Sequence, residues 1–170
     1  MNHTENYIYH LYKSINILTY DQLSIDSILA VFDIDILYWD YSSELVYFKE
    51  KYKMFINESL TEQQQWQDFG HEMCHFCWHG GAQKHLHDMY VAYQESKADY
   101  FMYHFCIPTF MLMELKGVNV YDVMNLFNVE FDFALKRLEM YRNNLLGGKY
   151  KWRGDMYAIV AERSINSRWT

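Results

Sequence analysis

The chain has 170 residues, 51% apolar and 19% aromatic, with 15 Lys and Arg against 22 Asp and Glu for a formal charge of −7. That supplies the core of an ordinary globular domain and excludes disordered and fibrous chains, which lack the large apolar side chains that offset chain entropy. The acidic balance also speaks against direct nucleic-acid binding, because phosphate neutralisation requires clustered Lys and Arg.

No stretch approaches the roughly 18 consecutive apolar residues of a membrane span, and the opening MNHTENYIYHLY lacks a charged segment followed by an apolar one. Three cysteines, Cys74, Cys77 and Cys106, are an odd number in a chain large enough to fold on its core, so reduced thiols and a cytoplasmic location are expected.

Residues 5–32 read as two helices joined by a short turn: Ile8, Leu11, Tyr12 and Ile15, then Leu23, Ile25, Ile28, Leu29, Val31 and Phe32, fall at helical intervals broken near Tyr20 and Asp21. Three β-prone runs follow, Ile34–Tyr38, Leu45–Phe48 and Met54–Ile56, and predict a sheet of two or three strands. Overlapping capping boxes, Ser59 to Glu62 and Thr61 to Gln64, then open a long helix reaching His79, which Gly80-Gly81 stops. A second long helix over 88–106 ends before Pro108, whose ring disfavours helical geometry in the residue ahead of it. Shorter helices over 109–116, 119–127 and 130–145 complete the pattern. The expected fold class is α+β, a mostly helical single domain over 1–146 with a small β-sheet, followed by a basic C-terminal tail over 147–170.

The chemistry is concentrated in His71-Glu72-Met-Cys-His75, an HExxH motif. Residues four apart lie one above the other on a helix, so both imidazoles can reach a single zinc ion, and Glu72 is placed beside the water that the ion activates. Trp66, Phe69, Met73 and Phe76 form an apolar stripe with His71, Glu72, His75 and His79 opposite. Catalytic zinc takes three protein ligands, and the metzincin alternative fails because position 81, ten residues after His71, is glycine. Glu95 on the following helix is the better third ligand. Asp99, one turn further, is then expected to orient a liganding imidazole; the alternative is a pair of solvated acids. An intact helix separates His71 from His79 by about 12 Å, too far for one ion. His79, His85, His87, Tyr90 and Tyr93 remain candidates for the cleft wall or for an oxyanion donor, and spacing does not choose among them. Cys74-x-x-Cys77 lacks the histidine of a haem site and the second ligand pair of a structural zinc site, so buried inert thiols are expected.

The set His71-Glu72-x-x-His75-x-x-x-His79, Glu95-x-x-Ala98-Asp99-x-Phe101 and Ile107-Pro108 resembles the ImmA/IrrE family of zinc metallopeptidases. Phe55-Ile56-Asn57, Gln65-x-x-Asp68-Phe69-Gly70, Phe127-Asn128-Val129 and Ala134-x-x-Arg137-Leu138 are similar to that family too, so the likeness covers about residues 20–142. Cys74 departs from its usual small residue and Asp99 from its common asparagine. The resemblance implies a gluzincin-like metallopeptidase with Zn²⁺ as cofactor and a helix-turn-helix repressor as protein substrate, whose cleavage would induce a phage or mobile element.

Two alternatives stand beside that function: a regulator that binds and inactivates a repressor without cutting it, and a purely structural metal site. Neither a nucleic acid nor a membrane is an expected partner, and the oligomeric state is open. Residues 136–170 carry Lys136, Arg137, Arg142, Lys149, Lys151, Arg153, Arg163 and Arg168 against three acids, about +5 against about −12 elsewhere. This end is either a solvated basic tail or a docking surface for an acidic partner.

Overall fold

The computed structural model describes residues 1–78 and 87–145, and no helix among them is long and apolar enough to cross a membrane. The chain divides into two compact units, Met1–Arg137 and Leu138–Thr170. The first holds α1 (His3–Ser14), a 3-10 turn (Tyr20–Gln22), α2 (Ile25–Leu29), β1 (Ile34–Trp39), β2 (Glu44–Phe48), β3 (Lys51–Asn57), α3 (Glu62–Trp78), α4 (Asp88–Cys106), α5 (Thr109–Glu114), α6 (Val120–Phe127) and the start of α7 (Phe131–Leu145). Of the second, only the C-terminal part of α7 is described. This is an α+β fold, mostly helical with one small sheet.

The long helices follow the sequence pattern, and the early part departs from it. Tyr20 and Asp21 lie inside their own 3-10 turn, and the second helix shrinks to the five residues of α2, capped by the Ser24 hydroxyl accepting from the Ser27 N–H at 3.0 Å. At α3 the inner capping box is the one used: Thr61 Oγ1 accepts from the Gln64 N–H at 3.3 Å, and Gln64 Oε1 accepts from the Thr61 N–H at 3.2 Å.

β3 is the central strand, parallel to β1 and antiparallel to β2, with Leu45 opposite Met54 opposite Ile36. Side chains alternate across the sheet, so Ile34, Ile36, Met54, Ile56 and Leu45 share one face. Met54 and Ile56 are fully buried on it. Phe76 of α3 meets Tyr52 of β3 at 4.9 Å and Phe32 at 5.5 Å between ring centroids, both edge-on.

The other flank of α3 is pressed against α4, where Phe105 meets Trp66 at 5.8 Å and Phe69 at 6.1 Å. Gly70 permits the approach. A Cβ there would lie 2.8 Å from Cys106 Sγ and 3.3 Å from Phe105 Cδ1, and both of those side chains are fully buried. Gly70→Ala would gain about 1 kcal/mol of helix propensity and lose about 1–3 kcal/mol to overpacking. We expect net destabilisation on urea unfolding, with a coupling of about 1 kcal/mol when Cys106→Ala removes the opposing sulfur. Strict additivity of the two changes would show that α3 and α4 do not touch there.

α7 is tied to α3 at its start. The buried Gln67 amide accepts from the Glu130 N–H at 3.0 Å and donates to its carboxylate at 3.2 Å, and Gln64 donates to the second oxygen at 2.9 Å. Further along, Arg137 is fully buried, so its place in a solvated basic end, as its sequence position suggests, is corrected. Its guanidinium donates to the Ile107 carbonyl at 3.0 Å and to Thr109 Oγ1 at 2.7 Å, and Thr109 in turn donates to Glu5 at 2.8 Å. The proposed tail, 147–170, lies outside the described residues.

Candidate active site

His71 and His75 sit one turn apart on α3 and bring their Nε2 atoms to 3.2 Å. From α4, Glu95 places Oε2 at 3.1 Å from His71 Nε2 and Oε1 at 3.6 Å from His75 Nε2. Asp99, one turn along α4, reaches the other side of the first ring, with Oδ1 at 3.2 Å from His71 Nδ1. The structure thus brings His71, His75, Glu95 and Asp99 together, and the two acids four residues apart are both turned toward the histidine pair.

The donor chemistry of this cluster favours a cation. With Asp99 accepting from the Nδ1–H of a neutral His71 ring, Nε2 is left with a lone pair. That lone pair faces a Glu95 oxygen at 3.1 Å, acceptor against acceptor. A metal ion between them removes the conflict. Tetrahedral zinc with bonds of about 2.0–2.2 Å holds its donor atoms about 3.3–3.6 Å apart, close to the observed 3.1, 3.2 and 3.6 Å. The residues present fit a four-coordinate divalent ion with one position left over.

Glu72 departs from the simple two-faced helix read from the sequence. It is only 7% exposed, because β2 covers that flank of α3. Burial pushes its carboxyl up to about 7, against the opposing pull of His71 and of the Leu45 backbone N–H on β2. Glu72, His71 and His75 all present donor atoms within 4.8 Å of one another. The carboxylate therefore stands at the rim of the histidine pair.

The other sequence candidates distribute differently. His87 is the N-cap of α4, its Nδ1 accepting from the Met89 N–H at 3.3 Å. Tyr90 and Tyr93 are more than half exposed, and the 100° step of a helix turns them about 140° and 160° away from Glu95. Lys97 Nζ lies 5.5 Å from the Tyr93 ring centroid. His79 and His85 lie outside the described residues. Cys74 and Cys106 are fully buried and Cys77 partly so; all three are free thiols whose acidity burial suppresses.

Two residues near the site had no stated role in the sequence. Ser43, in the turn before β2, donates from Oγ to Asp68 Oδ2 at 2.5 Å and accepts from the Asn57 N–H at 3.1 Å. Asp68 carried a readable signal, since it precedes Glu72 by four residues and so shares its face of α3. Ser43 carried none.

The family model described as Peptidase_M78, IrrE N-terminal-like domain, matches residues 29–139. The chain is 31% identical over 158 residues to the phage-like element PBSX protein XkdA of Bacillus subtilis (strain 168), a span of 90% of this chain and 80% of that relative. It is 33% identical over 149 residues to the uncharacterized protein YqaB of the same organism, across 85% and 87% of the two chains. No solved structure matches the chain.

Proposed function

The chain belongs to the Peptidase_M78 family of IrrE N-terminal-like domains, and from that premise we propose that it is a zinc-dependent endopeptidase acting on a helix-turn-helix repressor of a phage or mobile element. One observation carries the reading: two imidazoles and a carboxylate from the neighbouring helix bring their nitrogen and oxygen atoms to 3.1–3.6 Å of one another. A relative that bears the name of a phage-like element protein supports the regulatory setting.

His71, His75 and Glu95 would hold the ion, and Asp99 would keep the His71 ring in the tautomer that offers Nε2 to it. When bound, zinc would supply Lewis-acid polarisation of the scissile carbonyl and acidify the attacking water. Glu72 takes the proton from that water on its carboxylate and returns it to the leaving amine nitrogen. Its burial under β2 keeps bulk solvent from competing for the proton. No described side chain other than these is needed for the proton balance.

The test is cleavage of a purified helix-turn-helix repressor of a phage or mobile element. Purified chain should contain about one zinc per molecule, and fragments should accumulate with time, vanish with chelator and return with zinc. Metal-free protein that cuts as well as the loaded form would sink the reading.

A further inference from the structure

Trp78 is the last residue of α3, and the helical step places it with the histidine pair. Three residues after His75 and seven after His71, it lies about 60° and about 20° from them around the axis. A long side chain on a helix leans back toward the N-terminus, so the indole covers the turn that carries His75. Rings from two other helices meet it there. On α4, the fully buried Phe101 lies edge-on to the indole at 5.0 Å between centroids. On α1, Tyr7 lies edge-on at 5.2 Å and His3 at 6.1 Å, and Tyr7 also reaches Phe101 at 6.2 Å.

Helix α1 is fixed to α4 and α5 on either side of that contact. At its start the Asn2 side chain donates to Tyr100 Oη at 2.8 Å, and Glu5 accepts from Thr109 Oγ1 at 2.8 Å. Further along, the fully buried Tyr12 donates its hydroxyl to the Phe105 carbonyl at 2.9 Å. Tyr7 sits between those anchors, so its ring is a fixed wall for the indole. The end of α3 has need of one, because the last four carbonyls of a helix lack intrahelical donors and terminal turns open most readily. His75 belongs to that turn, with Nε2 at 3.2 Å from His71 Nε2 and 3.6 Å from Glu95 Oε1. The support comes from outside the span that matches the family model, which starts at residue 29, well after α1.

We propose that Tyr7 and Trp78 are positioning residues: the tyrosine ring presses the indole against Phe101, which clamps the last turn of α3 onto α4 and holds the His75 imidazole at ligand distance from His71 and Glu95. Neither supplies a ligand or moves a proton. Their part in metal binding rests on the peptidase reading given above, while the clamp itself is a property of the free chain. Ligands held in place before the ion arrives lose less freedom on binding it, so the clamp raises zinc affinity.

The clamp is read on the full-length, isotope-labelled protein. Tyr7→Ala and Trp78→Ala should each speed amide exchange over residues 75–78 by about tenfold or more and leave residues 66–69, earlier in α3, unchanged. Zinc alone, titrated against a chromophoric chelator, should bind each alanine variant about tenfold more weakly than wild type. Tyr7→Phe, which keeps the ring, should restore both protection and affinity. Val123→Ala, at a buried position of α6, controls for stability: it should lower the melting temperature and leave zinc affinity at the wild-type value, because global unfolding does not alter what the folded chain binds. Unchanged exchange over 75–78 in both alanine variants would overturn the clamp. Faster exchange there with wild-type zinc affinity would defeat the positioning role, as would equal weakening in Val123→Ala. A wild-type chain that binds no zinc would remove the metal reading, and the exchange rates with their rescue by Tyr7→Phe would then decide the clamp alone.

Discussion

Cleavage of the repressor by the Glu72→Gln variant is expected to fall by about 10²–10⁴-fold, the range over which a positioned general base contributes. Zinc content and melting temperature should stay at wild-type values, because Gln has the same shape and Glu72 lies outside the ligand set proposed here. The substitution separates the two functional readings. A peptidase loses its proton acceptor and stops; a regulator that works by association has no use for a carboxylate at this position and keeps working. Fragment formation in vitro and derepression in cells should therefore fail together. Zinc-loaded Glu72→Gln protein that still derepresses its target fully would decide for binding.

The same residue shows where sequence reasoning ends. HExxH, and the acids at 95 and 99, were legible because helix periodicity is local arithmetic: four residues bring a side chain back to the same face. The limits of α4 were legible as well, since Pro108 dictates its end, and the helix runs Asp88–Cys106. Glu72's burial was not, because it depends on β2 arriving from 27 residues earlier in the chain to cover α3. Nor was the hairpin that sends β3 back beside β2. Its tip is Lys49-Glu50, both with positive φ of 51° and 63°, where Asn-Gly is the readable signal for that geometry. Charged residues there look like a solvated spacer, and the strain that they accept is visible only in the folded backbone.

Charge patterning failed in a more instructive way at Arg137. Counted along the chain, it is one of eight bases in a positive end; in space it is a buried cation that joins three helices of the first unit. It binds the Ile107 carbonyl after α4 and Thr109 at the start of α5, and Thr109 passes the connection to Glu5 on α1. Burial raises the Glu5 carboxyl, and the Asn2 N–H, the Thr109 hydroxyl, His104 and Arg137 outweigh it, so the group is held below its ordinary value. His104, fully buried with Nε2 at 3.7 Å from Glu5, is pushed the other way by burial, down to about 4, and stays neutral beside the guanidinium.

Arg137→Ala is therefore expected to destabilise the chain by about 3–5 kcal/mol, the range for breaking a buried charged network by removing one member. The guanidinium's departure leaves the Glu5 charge buried without its compensating cation and the Ile107 carbonyl without its donor. Arg137→Lys should fall between wild type and Ala, because an ammonium is a point donor and cannot span Ile107 and Thr109 with a planar fork. Replacing both charges, Glu5→Gln with Arg137→Met, should recover part of the loss, since two desolvation penalties disappear together. Urea unfolding of the four proteins at pH 7 measures all of this. A loss below about 1 kcal/mol for Arg137→Ala is the signature of a surface cation, and it would mean that the guanidinium is solvated and the Glu5–Thr109–Arg137 connection is not formed.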